Sequence, residues 1–306
     1  MSQAAPITAS PSDSERRTGF LAGAFAYVAW GFLPLYLKLL SAIDVREVLA
    51  QRILWAAPSA FIAVFVMSGW RAGWREIATA LTPRMLGTLA ASACFIFVNW
   101  GMYVYLVLNE RVIESALAYF LAPLVSVAIG VLFFKESITT PRVIALALAL
   151  VGVAVQGFAL GAPPWMALGL CATWSVYAVI RKRAPVPAAV GLLIESLALA
   201  PVAIGLLVWA SSAAPLGFTL GWEMALLLAV AGPVTAIPLM AFAFGARRVS
   251  FTTLGLLQFL APTLQFLTGI AFGESFTPLR AVSFGLIWAG LAFFSWDTLR
   301  QAKLNE

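Results

Sequence analysis

Histidine is absent from all 306 residues, which removes imidazole metal ligands and every Ser-His or Cys-His catalytic arrangement at once. Cysteine is nearly absent too. The two present, Cys94 and Cys171, each sit inside an apolar run; they read as small hydrophobes rather than a disulfide, and no metal-ligand spacing exists. Charge is scarce: Asp, Glu, Lys and Arg make up 10% of the chain, against about a quarter in soluble domains. No GxGxxG or GxxxxGK[ST] phosphate cradle occurs, so nothing here is built to hydrolyse ATP. Lys and Arg number 19 against 13 Asp and Glu, but in a chain this apolar an excess of base encodes topology rather than nucleic-acid binding.

What is present is apolar side chain, 62% of the residues, with a mean hydropathy of +0.96. It is organised in runs of about 20 residues, enough for a helix to cross a hydrocarbon core of about 30 Å. The chain reads as an all-α polytopic membrane protein. Breaks at charged, Pro and Gly positions give ten predicted spans, at about 19–39, 46–69, 85–108, 114–134, 141–160, 164–181, 188–210, 223–244, 250–272 and 279–299. The connections are short, so the function is expected within the membrane. Residues 1–18, "MSQAAPITASPSDSERRT", read as a disordered cytoplasmic tail, and 301–306 as a second one.

With the N-terminus inside, alternation puts Arg16, Arg17, Arg71, Arg75, Arg84, Lys135, Arg142, Arg181, Lys182, Arg183, Arg247, Arg248, Arg300 and Lys303 on the cytoplasmic side. Only Lys38, Arg46, Arg111 and Arg280 fall outside, and Arg52 lies within the second span. This is the asymmetry of the positive-inside rule, and it predicts both termini in the cytoplasm.

An internal repeat follows. "YFLAPLVSVAIGVLFFKES" at 119–137 and "QFLAPTLQFLTGIAFGES" at 258–275 share FLAP, a glycine and a closing Glu-Ser. Beyond them Arg142 answers Arg280, and Gly152 answers Gly290. The copies fall on spans four-five and nine-ten, so the unit is five helices, residues 19–160 and 161–300. An odd unit enters the membrane from the opposite side the second time. That is the inverted repeat of secondary transporters, which bind substrate near the midplane between halves.

"AYVAWGFLPLYLKLL", "REVLAQRILW", "NWGMYVYLV", "ESALAYFLAPLVSVAIGVLFFKE" and "GLLQFLAPTLQFLTGIAFGE" give the chain a resemblance to the RarD group of EamA-type carriers, in the drug/metabolite transporter superfamily. The resemblance covers about 19–300. It implies ten helices in two EamA repeats, a bacterial inner membrane, and movement of small metabolites or drugs; the group's name links it to chloramphenicol. It implies no particular ligand.

Two ionisable residues stand out. Glu195 lies in "LLIESLALAP", about 10 Å deep from the cytoplasmic side, and Arg52 lies about as deep from the other face. Aligning the halves through Pro58 and Pro201 sets them at pseudo-equivalent positions. One reading is a fixed ion pair locking helix two to helix seven. The other is a cavity where Arg52 receives an anionic or polar group of the substrate and Glu195 carries a proton. Asn99 of "NW", the pair Tyr119 and Gln258 just before each FLAP, and Trp30 in mid-helix complete the predicted lining. Asn99 is equally compatible with a bond between helices, and the in-helix prolines with simple kinks.

The sequence therefore predicts a secondary transporter, an exporter of a small organic solute by alternating access, with proton antiport through Glu195. Neither cofactor nor metal is expected. The expected partners are the lipid bilayer, a small-molecule substrate and protons, and the expected state is a monomer or homodimer. A membrane-embedded enzyme and a receptor or assembly subunit are the rival classes. The first needs convergent nucleophile, base or metal ligands in a span, the second a soluble segment or partner surface.

Overall fold

The computed structural model describes residues 12–134, 138–246, 248–249 and 251–304. Residues 1–11 of the expected tail, Lys135, Glu136, Arg247 and residues 305–306 lie outside the described residues. The described chain forms fourteen α-helices: α1 (Asp13–Gly31), α2 (Leu33–Leu39), α3 (Val45–Ser68), α4 (Trp70–Ala80), α5 (Pro83–Leu108), α6 (Val112–Phe134), α7 (Thr140–Leu160), α8 (Trp165–Arg183), α9 (Ala188–Ser211), α10 (Trp222–Ala229), α11 (Ala231–Ala246), α12 (Phe251–Leu257), α13 (Leu260–Ala271) and α14 (Pro278–Leu304). Seven segments, with α1–α2 and α10–α11 each counted as one, are long and apolar enough to cross a membrane. Val112–Val125, Trp165–Arg181 and Leu260–Ala271 are shorter apolar helices.

The ends depart from expectation. Ser12 caps α1 in a reciprocal capping box with Glu15, so residues 13–18 are helical rather than part of a tail. At the other terminus α14 runs on to Leu304, through most of the second expected tail. Residues 70–80, not assigned a helix from sequence, form α4, in which Trp70, Trp74, Arg71 and Arg75 share the exposed surface. Aromatic rings beside arginines suit a helix lying at the edge of a bilayer.

Three predicted spans are broken, and a proline follows each break: Pro34, Pro233 and Pro262. Pro34 has no N–H for the Trp30 carbonyl, and the helix interrupts at Phe32 between α1 and α2. The Gln265 side-chain amide of α13 donates to that carbonyl at 3.1 Å, so the group lost to the proline is satisfied from another helix. Pro262 acts likewise on the Gln258 carbonyl, and Gln258 and Phe259 form the break between α12 and α13. Pro123, its counterpart in the first FLAP, sits inside a continuous α6.

The helices pack in pairs: α7 against α14, α3 against α9, α1 against α11, α5 against α8 and α6 against α13. Small residues set the spacing. In the α7–α14 pair, a Cβ on Gly152 would lie 2.9 Å from the Ser283 carbonyl oxygen, and one on Gly290 would lie 2.8 Å from that of Ala145. The Ser283 hydroxyl donates to the Gly152 carbonyl at 2.7 Å, closing the contact.

One end of the bundle, marked by Lys38, is laced by polar ties across elements. Lys38 meets Glu110 at 2.7 Å. Glu47 accepts from the N–H groups of Gly217 and Phe218 at 2.8 and 3.0 Å. Glu274 accepts from those of Val112 and Ile113, thereby capping α6 rather than the helix that follows it. Burial raises the Glu274 carboxyl above its ordinary range despite those two donors.

The glycine contacts are testable. Gly152→Leu and Gly290→Leu each lower thermal stability in detergent by about 1–3 kcal/mol, the range for overpacking. Gly285→Leu, on the same helix but with open space around it, leaves the melting temperature unchanged.

Candidate functional site

Arg52 projects from α3 into the bundle and is 8% exposed. Its Nε donates to the Thr235 hydroxyl of α11 at 3.2 Å, and its guanidinium lies 4.6 Å from the centre of the Trp100 ring of α5. Its Nη1 is buried and has no hydrogen-bond partner among the described residues. Tyr36, Tyr103 and Tyr119 stand within electrostatic reach of the charge. The Tyr103 hydroxyl, on a residue 3% exposed, is likewise buried without a partner.

Glu195 occupies a second cluster and is 2% exposed. Ser92 of α5 donates to its Oε1 at 2.5 Å, and Tyr177 of α8 to its Oε2 at 3.4 Å. Arg181, also on α8, holds Nε 3.7 Å from the carboxylate. Gly191, one turn before Glu195, makes room for that arginine, since a Cβ there would lie 2.2 Å from two guanidinium nitrogens. The fixed ion pair of Arg52 with Glu195, one of the two readings from sequence, is therefore not formed. Their helices α3 and α9 do face each other, but Arg181 is the nearer cation and takes the carboxylate.

Aromatic rings join the two clusters. Tyr103, Tyr119, Trp174 and Tyr177 follow one another with centroid separations of 6.0, 6.2 and 5.7 Å. The row starts beside Arg52 and ends at the hydroxyl on Glu195.

Of the residues singled out from sequence, Arg52, Tyr119 and Glu195 lie on this connected array. Asn99 is 1% exposed and gives its amide hydrogens to the Leu170 carbonyl at 2.8 Å and the Thr173 hydroxyl at 3.1 Å, tying α5 to α8. Trp30 belongs to another ring group, with Tyr27 and Phe242 at 5.5 and 5.8 Å. Gln258 sits half-buried in the break before α13, whereas Tyr119 is inside unbroken helix, so their shared place in the repeat does not give them the same backbone geometry. Trp174, Tyr177 and Arg181 were not among the predicted site residues. Their spacing of three, then four, marks one helical face and was the available signal. In the sequence Arg181 stands out only as a topology-setting charge of the "RKR" run.

Long apolar helices enclosing a ring-lined array of buried charges place the chain in the class of multi-pass membrane proteins with a polar interior, where solute carriers are found. The signature of the EamA-like transporter family matches residues 17–157. Protein RarD of Streptomyces exfoliatus is 40% identical over 298 residues, covering 96% of this chain and 93% of that protein. A protein of Bacillus subtilis described as the uncharacterized transporter YojE is 34% identical, covering 96% and 98%. One solved crystal structure superposes with a TM-score of 0.58 over 91% of this chain and 97% of that one, at 20% identity, a likeness of fold alone. The chain belongs to the RarD group of EamA-like transporters, in the drug/metabolite transporter superfamily, and is a membrane transporter.

The ion pair at Glu195 is testable by a double-mutant cycle. Arg181→Met removes the cation from a buried carboxylate and lowers stability by about 3–5 kcal/mol, the usual cost of breaking a buried pair from one side. Adding Glu195→Gln recovers most of that loss. Gly191→Val, which displaces the guanidinium from its seat, falls between the two in a thermal melt.

Proposed function

We propose that the protein is a secondary transporter that exports a small organic solute by alternating access from the inner membrane of a bacterium, with both termini cytoplasmic. Ten spans form two inverted five-helix repeats, 19–160 and 161–300, and the halves rock about a site between them. The observation that carries the reading is the buried array from Arg52 through the aromatic rings to Glu195, drawn from α3, α5, α6, α8 and α9 of both repeats. Intramembrane charges that converge in this way mark solute and proton paths.

The pattern of helix packing supports the symmetry. Take α1–α2 as span one, α10–α11 as span eight and α12–α13 as span nine. Exchanging each span with the one five places on then turns α3–α9, α6–α13 and α7–α14 into themselves and exchanges the α1–α11 pair with α5–α8. Gly152 and Gly290, equivalent by sequence, each press on the other's helix in the α7–α14 contact. These relations support the two-fold axis in the membrane plane that we propose.

For coupling, Glu195 is the proton carrier we propose. Its proton would arrive at a carboxylate held by Ser92, Tyr177 and Arg181, and protonation would release Arg181 from its ion pair, which links proton uptake to the α8–α9 contact. The test uses reconstituted protein and a pH-sensitive dye. Presenting a transported solute moves protons with wild type and not with Glu195→Gln. Proton exchange that survives in the mutant would assign the coupling elsewhere and leave Glu195 as a structural ion-pair partner.

A further inference from the structure

Every other buried charge among the described residues has its compensation on the page. Glu195 has Arg181, Glu114 has Arg111 at 2.6 Å, Asp297 has Arg142 at 2.9 Å, and Glu47 accepts from two backbone N–H groups. Arg52 is the one cation among the buried polar and charged residues, and none of the ion pairs includes it. A full positive charge facing a ring and a hydroxyl, with a buried N–H group aimed at nothing, is the arrangement of a receptor without its anion.

Resting on the transporter reading, we infer that the solute is a small organic monocarboxylate, received by Arg52 Nη1 and the Tyr103 hydroxyl, with its apolar body against the Tyr119 and Trp174 rings. The chemistry fixes each part. Thr235 already occupies Nε, so the carboxylate meets the Nη side of the fork rather than the side-on Nε edge. The Tyr103 hydroxyl supplies a second, neutral donor. One uncompensated positive charge matches one negative charge; a dianion such as a phosphate monoester would carry an excess negative charge into a buried site. A neutral solute would leave the guanidinium as it is. The rings of Tyr103, Tyr119 and Trp174, set edge-to-face, offer an apolar aromatic surface beside the charge and suit a hydrocarbon or aromatic body.

The test compares acids with their amides on the purified full chain by calorimetric titration, with acetate, butyrate and benzoate set against acetamide, butyramide and benzamide. At least one carboxylate is expected to bind about tenfold or more tightly than its amide, the discrimination of a charge-assisted hydrogen bond. Arg52→Gln is expected to abolish that preference, and Arg52→Lys to keep a reduced one. If no carboxylate outbinds its amide in wild type, or if Arg52→Gln retains the preference, the inference is overturned; the wild-type comparison decides even where the variant fails to fold. Uptake into proteoliposomes separates this inference from the reading beneath it. A carboxylate that binds but never crosses sinks the transporter reading alone. A solute that crosses while acid and amide bind alike sinks this inference alone.

Discussion

An arginine with no counter-charge among the described residues, buried where hydrocarbon surrounds the protein, is the constraint around which the interior is organised. A lone charge at the centre of a bilayer costs between about 3 and more than 10 kcal/mol. The surroundings of Arg52 recover only part of that cost: a hydroxyl on Nε and the face of an indole, with three uncharged tyrosines nearby. The helices that carry these groups must stay close, because separating any of them exposes the guanidinium further to lipid. Tyr36, Trp100, Tyr103, Tyr119 and Thr235 come from α2, α5, α6 and α11, so one side chain on α3 gives four other helices a shared reason to converge.

The second charged cluster solves the same problem in the opposite way. Glu195 is held within the protein by Arg181 and two hydroxyls, and the glycine at 191 exists as the space into which the guanidinium fits. The contrast gives the two ends of the ring row different characters: the charge at one end has its counter-charge within the protein, and the charge at the other has none among the described residues. The mechanical parts are consistent with motion around them. The breaks at Phe32 and at Gln258–Phe259 interrupt helical ladders, and Gln265 of α13 ties that helix to the carbonyl freed at the first break. Close glycine contacts hold α7 to α14 away from the charged array.

Much of this was legible in the sequence. Hydrophobic run length gives the helical membrane class, because that signal is local and strong; the two FLAP segments with their flanking glycines carry the internal repeat we propose. Arg52 and Glu195 announce themselves as charges in apolar runs. Their partners do not, because pairing is decided by the rotation of α3, α8 and α9 about their own axes, which a single sequence leaves undetermined. Hence Arg181, sitting in a run that also sets topology, takes the carboxylate that the alignment of the halves sets opposite Arg52. Asn99 shows the same limit from the other side: an intramembrane amide can serve a ligand or a neighbouring helix, and here its donors serve α8. The α4 helix escaped notice because its length and charge suit a loop until Trp70 and Trp74 are seen on one surface with Arg71 and Arg75.

Alternation is the central claim, and accessibility measures it most directly. A cysteine placed at Tyr119, in a chain with Cys94 and Cys171 replaced by alanine, reports on the middle of the ring row. In oriented membrane vesicles a membrane-impermeant thiol reagent is expected to reach it from either face, at rates that saturating solute shifts in opposite directions. Labelling from one face alone, unaffected by solute, would contradict alternating access.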